Sequence, residues 1–297
     1  MLALAPPAGV SLLHAPALQV DHAGAESNTC VGLARLGLRT AWVSCLGADT
    51  AGDRILAAIR AEGVDVQWVE RSATRPTGLM LKDPDAGVRY YRRESAASAM
   101  GPALLDRVPV PEARAVLVTG VTALIGADTQ AAGLALLDRA HGLRIVDPNL
   151  RAGLWGSDRR AALVRPFVEH CHLLLCGAGE IAEVLGAPDD GNPEALARLA
   201  AAAGPREVVV RSAATIGALA DGVWRELAIR RDAAVDPIGA GDAFNAGYIA
   251  VRLRGGAVED ALRAGAQCGA AVTTALSDTS AFPRSLSHEI RRPEDAL

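Results

Sequence analysis

The sequence predicts an α/β protein: a mostly parallel central sheet with helices on both faces and a small β-sheet lid. Three observations carry that expectation. From residue 115 onward, short continuous apolar runs alternate with helix-period stretches. Before that, two helix-period stretches each stop at a glycine, and several short extended pieces crowd between residues 66 and 92 with turn residues between them.

Taken in order, TCVGLARLG (29–37) carries apolar residues at helix spacing and ends in Gly37, and TAWVSCLG (40–47) follows as a strand. AGDRILAAIRAEG (51–63) repeats the pattern of a helix stopped by glycine. Extended pieces at 66–70, 77–82 and 87–92 are separated by Pro76, Asp83, Pro84 and Gly87. They read as an antiparallel hairpin assembly inserted into the α/β body, able to cover a site. Lid segments are expected near 10–23, 64–71 and 77–95. Then come AVLVTG from 115, a helix over 127–141, LRIVD (143–147), a helix over 157–170, HLLLC (172–176), a helix over 193–203, EVVVR (207–211), and short strands around GALA and VWREL. Strands that are apolar throughout belong to a parallel sheet covered on both faces. Ligands collect at the carboxyl ends of such strands, so the loops after Asp147, Cys176 and Val235 are the ones to inspect. No linker, charge block or constant-period repeat divides the chain, and one domain over residues 1–297 is expected.

Composition narrows the partners. With a net charge of −4, the chain has no general attraction for nucleic acid or an anionic membrane, so neither is expected as a partner. An anionic ligand must be held locally. Lys82 is the only lysine, and no glycine-rich loop precedes it, which excludes a G-x-x-x-x-G-K-[ST] phosphate loop. Five cysteines without a C-x-x-C pair, and no basic secretory n-region before Pro6 and Pro7, suit reduced thiols in a cytoplasm. His170, Cys171, His172 and Cys176 are close in sequence, but alternate strand residues face opposite ways, so buried packing is preferred to a metal site.

The chemistry concentrates in DPIGAGDAFNAGYIA (236–250). Gly239, Ala240 and Gly241 stand immediately before an apolar-periodic helix, where free N–H groups and the helix dipole attract an anion. Asp242 falls in the first turn beside that hole, where a carboxylate can take a proton from an attacking hydroxyl. A bare G-x-G-D also suits a helix cap and a tight turn. GAGE (177–180) has the same local form, and one of the two is open to a structural reading alone.

DPIGAGDAFNAGY resembles the carboxy-terminal signature of the ribokinase-like (PfkB) carbohydrate kinases. AGAESNTCVGLARLG with WVSCLGADTAGDRILAAIRAEGV (23–64) is similar to that family's amino-terminal motif. PTGLMLKD, YYRRESAAS and DPNLRAGLW look like the branch that phosphorylates 2-keto-3-deoxygluconate. The resemblance covers nearly the whole chain. It implies a ribokinase-like three-layer sandwich with a β lid, ATP with Mg²⁺, room for a monovalent cation, and a homodimer through the lid. It implies Asp242 as general base and Gly239, Ala240 and Gly241 as the anion hole. It assigns Gly24 and Asn28 to the sugar pocket, Tyr90 and Arg92 to the acid end of the sugar, and Arg151 to the space between sugar and phosphates. Arg211 would stand on the nucleotide side and Glu180 near the metal.

Some of these residues have second readings. Arg92 reads also as a solvated strand charge, with Arg93 the more natural solvent residue, and Tyr90 as hairpin packing. An arginine on a covering hairpin suits a carboxylate, which accepts two parallel hydrogen bonds. The sequence departs from the family pattern at Gly177, where an asparagine is usual, at Arg211 and Ala213 in place of lysine and glycine, and at Met80, where the acid-sugar branch often has tyrosine. Two alternatives stay open: a kinase for a neutral sugar such as fructose or ribose, and a silent sugar-binding paralogue. Relatives usually carry a strand ahead of a stretch like MLALAP, so a version extended upstream is expected to melt higher, because an early strand of a parallel sheet is normally interior.

Overall fold

The computed structural model describes residues 1–150, 157–229, 238–273 and 277–286. The chain starts in the lid with β1 (Leu2–Ala5) and β2 (Gln19–His22), then enters the body through α1 (Ala25–Arg35), β3 (Ser44–Gly47), α2 (Thr50–Ala61) and β4 (Val69–Ser72). It returns to the lid as the hairpin β5 (Leu79–Asp83) and β6 (Gly87–Tyr91). The body resumes with β7 (Ala115–Thr119), α3 (Gly120–Leu124), α4 (Ala127–Arg139), β8 (Leu143–Asp147), α5 (Ser157–His170) and β9 (Leu173–Gly177). After α6 (Ala178–Leu185) and α7 (Pro193–Ala201) come β10 (Glu207–Arg211), β11 (Thr215–Ala220) and β12 (Val223–Ala228). The helices α8 (Ala240–Leu253) and α9 (Val258–Val272) complete the described elements.

The main sheet has the order β12-β11-β10-β9-β8-β7. Strands β7 to β10 are parallel, and β11 and β12 add an antiparallel edge. Successive residues of β9 and β10 go to two different cores, which explains the unbroken apolar runs. Leu173, Leu175 and Val209 pack with α1, α2, α8 and α9, whereas Leu174, Cys176, Val208 and Val210 pack with the helices of the other face. A sheet buried on both sides between two helix layers is the three-layer sandwich the sequence called for. Each fully buried leucine or valine contributes roughly 1.5–3 kcal/mol of hydrophobic stabilisation.

The lid sheet has the order β2-β1-β5-β6, with β5 and β6 antiparallel as expected. Two expectations change. Strand β1 joins the lid, pairing with β2 and β5. Residues 64–71, expected in the lid, lead instead into β4, which runs parallel to β3 in a separate two-stranded sheet. The reason is packing: Val64 and Val66 are buried in the main core, and β3, α2 and β4 form a β-α-β crossover of the body. TAWVSCLG is a regular strand only over Ser44–Gly47, with an isolated bridge at Ala41. No helix among the described residues is long and apolar enough to cross a membrane.

Helix α8 positions the site. It is buried from Asp242 to Val251 and lies against both α1 and α9. At Gly32 of α1 an added Cβ would come within 2.6 Å of Ala246 Cβ, so glycine is what lets α1 approach α8 this closely. On its other side, the Tyr248 hydroxyl donates to Glu207 Oε1 of β10 at 2.6 Å, and Arg252 grips the same carboxylate at 2.9 and 2.7 Å. The helix start is therefore held in a fixed place beside α1 and the ends of the parallel strands.

Candidate active site

Gly239 is the N-cap of α8 at φ +87°, a left-handed backbone where an added Cβ would also fall 2.6 Å from the Asp278 carbonyl oxygen. Glycine is required there on both counts. It brings no side chain to cap the helix, so the backbone amides of the first turn, those of Ala240 and Gly241 among them, receive no side-chain cap from it. Asp242 stands in that turn at 5% exposure. Its Oδ2 accepts a hydrogen bond from Asn28 Nδ2 at 2.8 Å, across the α1–α8 contact. The same Nδ2 lies 3.4 Å from Asp278 Oδ2, and Lys82 Nζ of β5 meets Asp278 Oδ1 at 2.8 Å. Arg35 of α1 pins the segment after Asp278, donating to the carbonyls of Thr279 at 2.7 Å and Phe282 at 3.1 Å.

One cavity of about 1100 Å³ collects the expected residues Gly24, Asn28, Tyr90, Arg92, Gly239 and Asp242 on its wall. It extends past the lid to strands β3 and β7, which border it without pairing with each other. Buried polar groups almost always find partners in folded proteins. Among the described residues six buried side-chain polar atoms have none, and four of them belong to residues lining this cavity: Asn28 Oδ1, Arg92 Nε, Ser95 Oγ and Asn149 Oδ1. A cavity that concentrates unsatisfied groups is built for a polar ligand that supplies their partners.

Arg92 follows β6 directly and is half-buried, whereas Arg93 is exposed, as strand alternation requires. Burial pushes the Arg92 guanidinium below the ordinary arginine value, with Glu26 and Tyr90 pulling the other way. Tyr90 combines its two readings: it packs against Ala3, Ala23 and Met80 in the lid and also borders the cavity. Met80 sits directly opposite it on β5 and borders the cavity too.

Arg211 and Glu180 are engaged by neighbouring protein groups. Arg211 donates from Nη1 to Asn245 Oδ1 at 2.7 Å and from Nη2 to Asp147 Oδ2 at 3.4 Å, with its guanidinium 5.4 Å from the centroid of the Phe244 ring. Burial alone would lower its pKa, but the carboxylates of Asp147 and Glu180 outweigh it and raise the value. Its charge is thus balanced beneath the α8 turn. Glu180 accepts from the Gly177 N–H at 2.8 Å in a capping box and from the Leu150 N–H at 3.0 Å. No group of three or more His, Cys, Asp or Glu poised for a metal occurs among the described residues. Arg151 and Val235 lie outside the described residues.

Sequence reasoning missed Asp278, Lys82 as its partner, Ser95 and Asn149. Only Asn149 carried a signal, since the loop after Asp147 was singled out; Lys82 and Asp278 meet across a separation of 196 residues with no motif at either end.

A buried carboxylate next to the amides of a helix start, inside a lidded cavity at the carboxyl ends of parallel strands, suits an enzyme that transfers a phosphoryl group to an alcohol. A family profile for pfkB family carbohydrate kinases matches residues 3–284, and the chain belongs to that family of ATP-dependent sugar kinases. It is 34% identical over 271 residues to the 2-dehydro-3-deoxygluconokinase of Bacillus subtilis (strain 168), covering 88% of this chain and 83% of that one. It is 31% identical over 274 residues to a fructokinase of Klebsiella pneumoniae, covering 88% of each. The crystal structure of a PfkB protein from Polaromonas sp. JS666 superposes with a TM-score of 0.84 at 34% identity, over 96% of this chain and 95% of that chain.

Proposed function

We propose that this kinase phosphorylates the terminal hydroxyl of 2-keto-3-deoxygluconate (2-dehydro-3-deoxygluconate) or a similar 2-keto acid sugar, with Asp242 as general base. The observation that carries the acid-sugar reading is Arg92: a half-buried arginine whose buried Nε has no partner among the described residues, on the wall of the cavity that holds Asp242. A substrate carboxylate would complete it through charge-assisted hydrogen bonds, each contributing roughly 1.5–3 kcal/mol. A neutral sugar would leave it uncompensated. The name of the Bacillus subtilis relative supports the same acceptor.

In this reading the acceptor hydroxyl gives its proton to Asp242 as its oxygen forms a bond to the γ-phosphorus of ATP. The bond from that phosphorus to the bridging oxygen breaks, and ADP leaves with the electron pair. Charge spread over the transferring oxygens faces the amides of Ala240 and Gly241 and the positive end of α8. Asn28 holds the Asp242 carboxylate at its place, and Arg211 braces the turn from below through Asn245 and Asp147. Mg²⁺ would travel on the nucleotide phosphates with several of its waters, the usual habit of this ion, and neutralise phosphate charge there.

The second reading is a neutral-sugar kinase, favoured by Met80 in the lid hairpin and by the Klebsiella pneumoniae fructokinase. A panel of acid and neutral sugars assayed for ADP release at saturating ATP and Mg²⁺ separates them. The expected result is highest kcat/KM for the 2-keto acid sugar; preference for fructose or ribose would overturn the assignment.

The phosphate-binding role of the turn has its own test. At Gly241 an added Cβ would meet nothing nearer than Arg211 Nη2 at 3.9 Å, so the protein itself has room for a methyl group. Gly241→Ala should leave the melting temperature unchanged or raise it slightly, by about 0.4–1 kcal/mol of stability. The KM for ATP should rise, because the methyl group occupies the path of a phosphate. Unaltered ATP kinetics would show that no phosphate approaches this turn.

A further inference from the structure

We infer that Lys82 is a positioning residue of this kinase: by neutralising Asp278 it keeps the neighbouring Asp242 ionised and able to take the proton of the acceptor. Lys82 acts through Asp278 and contributes this charge from the lid. Its role rests on the reading of Asp242 as general base and is indifferent to whether the sugar is acidic or neutral.

Lys82 is the only lysine of the chain. Met80 and Lys82 lie two residues apart on one face of β5, and Met80 borders the main cavity. Lys82 instead meets Asp278, Nζ to Oδ1 at 2.8 Å, with the two side chains only 13% and 4% exposed. Asp278 borders the main cavity, and it also borders a separate recess of about 130 Å³ that Lys82 helps to line. The other oxygen, Asp278 Oδ2, lies 3.4 Å from Asn28 Nδ2, the same nitrogen that donates to Asp242 Oδ2 at 2.8 Å. Two carboxylates thus stand around one amide. Neither can drift, because the Asp278 carbonyl packs against Gly239 and the Arg35 guanidinium holds the carbonyls that follow.

Carboxylates this close resist ionising together, and an uncompensated one raises the pKa of the other. Among the described residues, Lys82 is the cation in ion-pair contact with Asp278. The other charged and titratable groups on the surrounding elements are engaged elsewhere or stand apart from that pair. On α1, Glu26 accepts from Thr119 and Thr122, Arg35 pairs with Glu62, and burial pushes the Cys30 thiol up to about 12. On the side of the parallel strands, Arg211 is held by Asp147 and Asn245, and Glu180 by its capping box. On α9, burial pushes the Cys268 thiol up to about 12. In the lid, Asp21 is taken by His22 and Ser277, while Tyr90, Arg92 and the Met1 amine border the main cavity without an ion pair to Asp278. Stability gives no reason for the pair, since a buried ion pair is often matched or bettered by apolar packing. Its place beside the base does: the lid supplies the positive charge that the second carboxylate would otherwise demand from Asp242.

The test is the pH dependence of kcat/KM for the acceptor in the full chain, by ADP release at saturating ATP and Mg²⁺, for wild type, Lys82→Met, Asp278→Asn and the double variant. The acceptor is 2-keto-3-deoxygluconate, or fructose if the sugar panel gives it. What is read is the position of the acidic limb, where the base becomes protonated, and not its height. Lys82→Met leaves Asp278 uncompensated, so the limb should move to higher pH by about one unit, a roughly 10-fold loss of kcat/KM on the acid side. Asp278→Asn leaves the lysine charge unneutralised, so the limb should move to lower pH. The double variant removes both charges and should return the limb to its wild-type position. A wild-type limb in both single variants would overturn the inference. So would a double variant that keeps the shift of Lys82→Met, because the lysine would then act by holding the lid and not by its charge. If Lys82→Met fails to fold, Asp278→Asn decides alone: a lowered limb supports the inference and an unmoved one overturns it. Asp242→Asn in the same assay separates the two readings. Retained turnover there removes the base itself, whereas lost turnover there with unmoved limbs in the other variants removes only the role of Lys82.

Discussion

Asp242→Asn is expected to lower kcat by roughly 10²–10⁴-fold, the usual contribution of a positioned general base. The substitution is nearly isosteric, and its side-chain oxygen can still accept the hydrogen bond that Asn28 Nδ2 gives Asp242 Oδ2 at 2.8 Å. The α1–α8 contact should therefore survive. One negative charge disappears from a place where two carboxylates, Asp242 and Asp278, share that same amide at 2.8 and 3.4 Å, so the fold has no electrostatic reason to weaken. The melting temperature and the affinities for acceptor and nucleotide should stay near wild type while turnover collapses. The measurement is kcat by ADP release together with equilibrium binding of acceptor and of an ATP analogue. A variant that turns over within threefold of wild type would remove Asp242 from the chemistry and leave it as a helix-cap residue.

The contrast between Asp242 and Asp278 indicates what a sequence can carry. Gly239 to Asp242 are consecutive, and the physics that joins them is local: a left-handed glycine, the first amides of a helix and a carboxylate in its first turn. Such a site is legible because its parts cannot be separated along the chain. Asp278 acquires its place only through Lys82 in the lid, Asn28 in α1 and the grip of Arg35 on the following carbonyls, and no residue near it announces those partners. The fold divides in the same way. Parallel strands were readable because burial on both faces makes them apolar throughout, as in Leu173–Cys176 and Val208–Val210. The stretch at 64–71 misled because a short half-buried strand reads alike in a lid and in a body. The choice was made by the burial of Val64 and Val66 in the main core, a tertiary fact. Likewise nothing in the sequence near Arg211 announces that this last residue of β10 is held by Asp147 and Asn245 under the α8 turn.

Arg92→Ala is expected to lower kcat/KM for the 2-keto acid sugar by about 10- to 150-fold, the equivalent of one charged hydrogen bond of roughly 1.5–3 kcal/mol. The effect should be selective. A neutral sugar has no carboxylate for the guanidinium, so any residual turnover of fructose or ribose should be unchanged or improved by its removal. Stability argues in the same direction: burial already pushes this guanidinium below its ordinary value, and its Nε has no partner among the described residues. Deleting a half-buried, incompletely compensated charge should leave the melting temperature level or higher. Arg92→Lys keeps the charge but loses the planar fork that donates two parallel hydrogen bonds to a carboxylate, and should fall between wild type and alanine. The comparison to make is kcat/KM for acid and neutral sugars across the three proteins. If alanine leaves the acid sugar untouched while Asp242→Asn abolishes turnover, the kinase stands and the acid-sugar assignment does not. If alanine weakens acid and neutral sugars equally, Arg92 shapes the lid and reads no carboxylate.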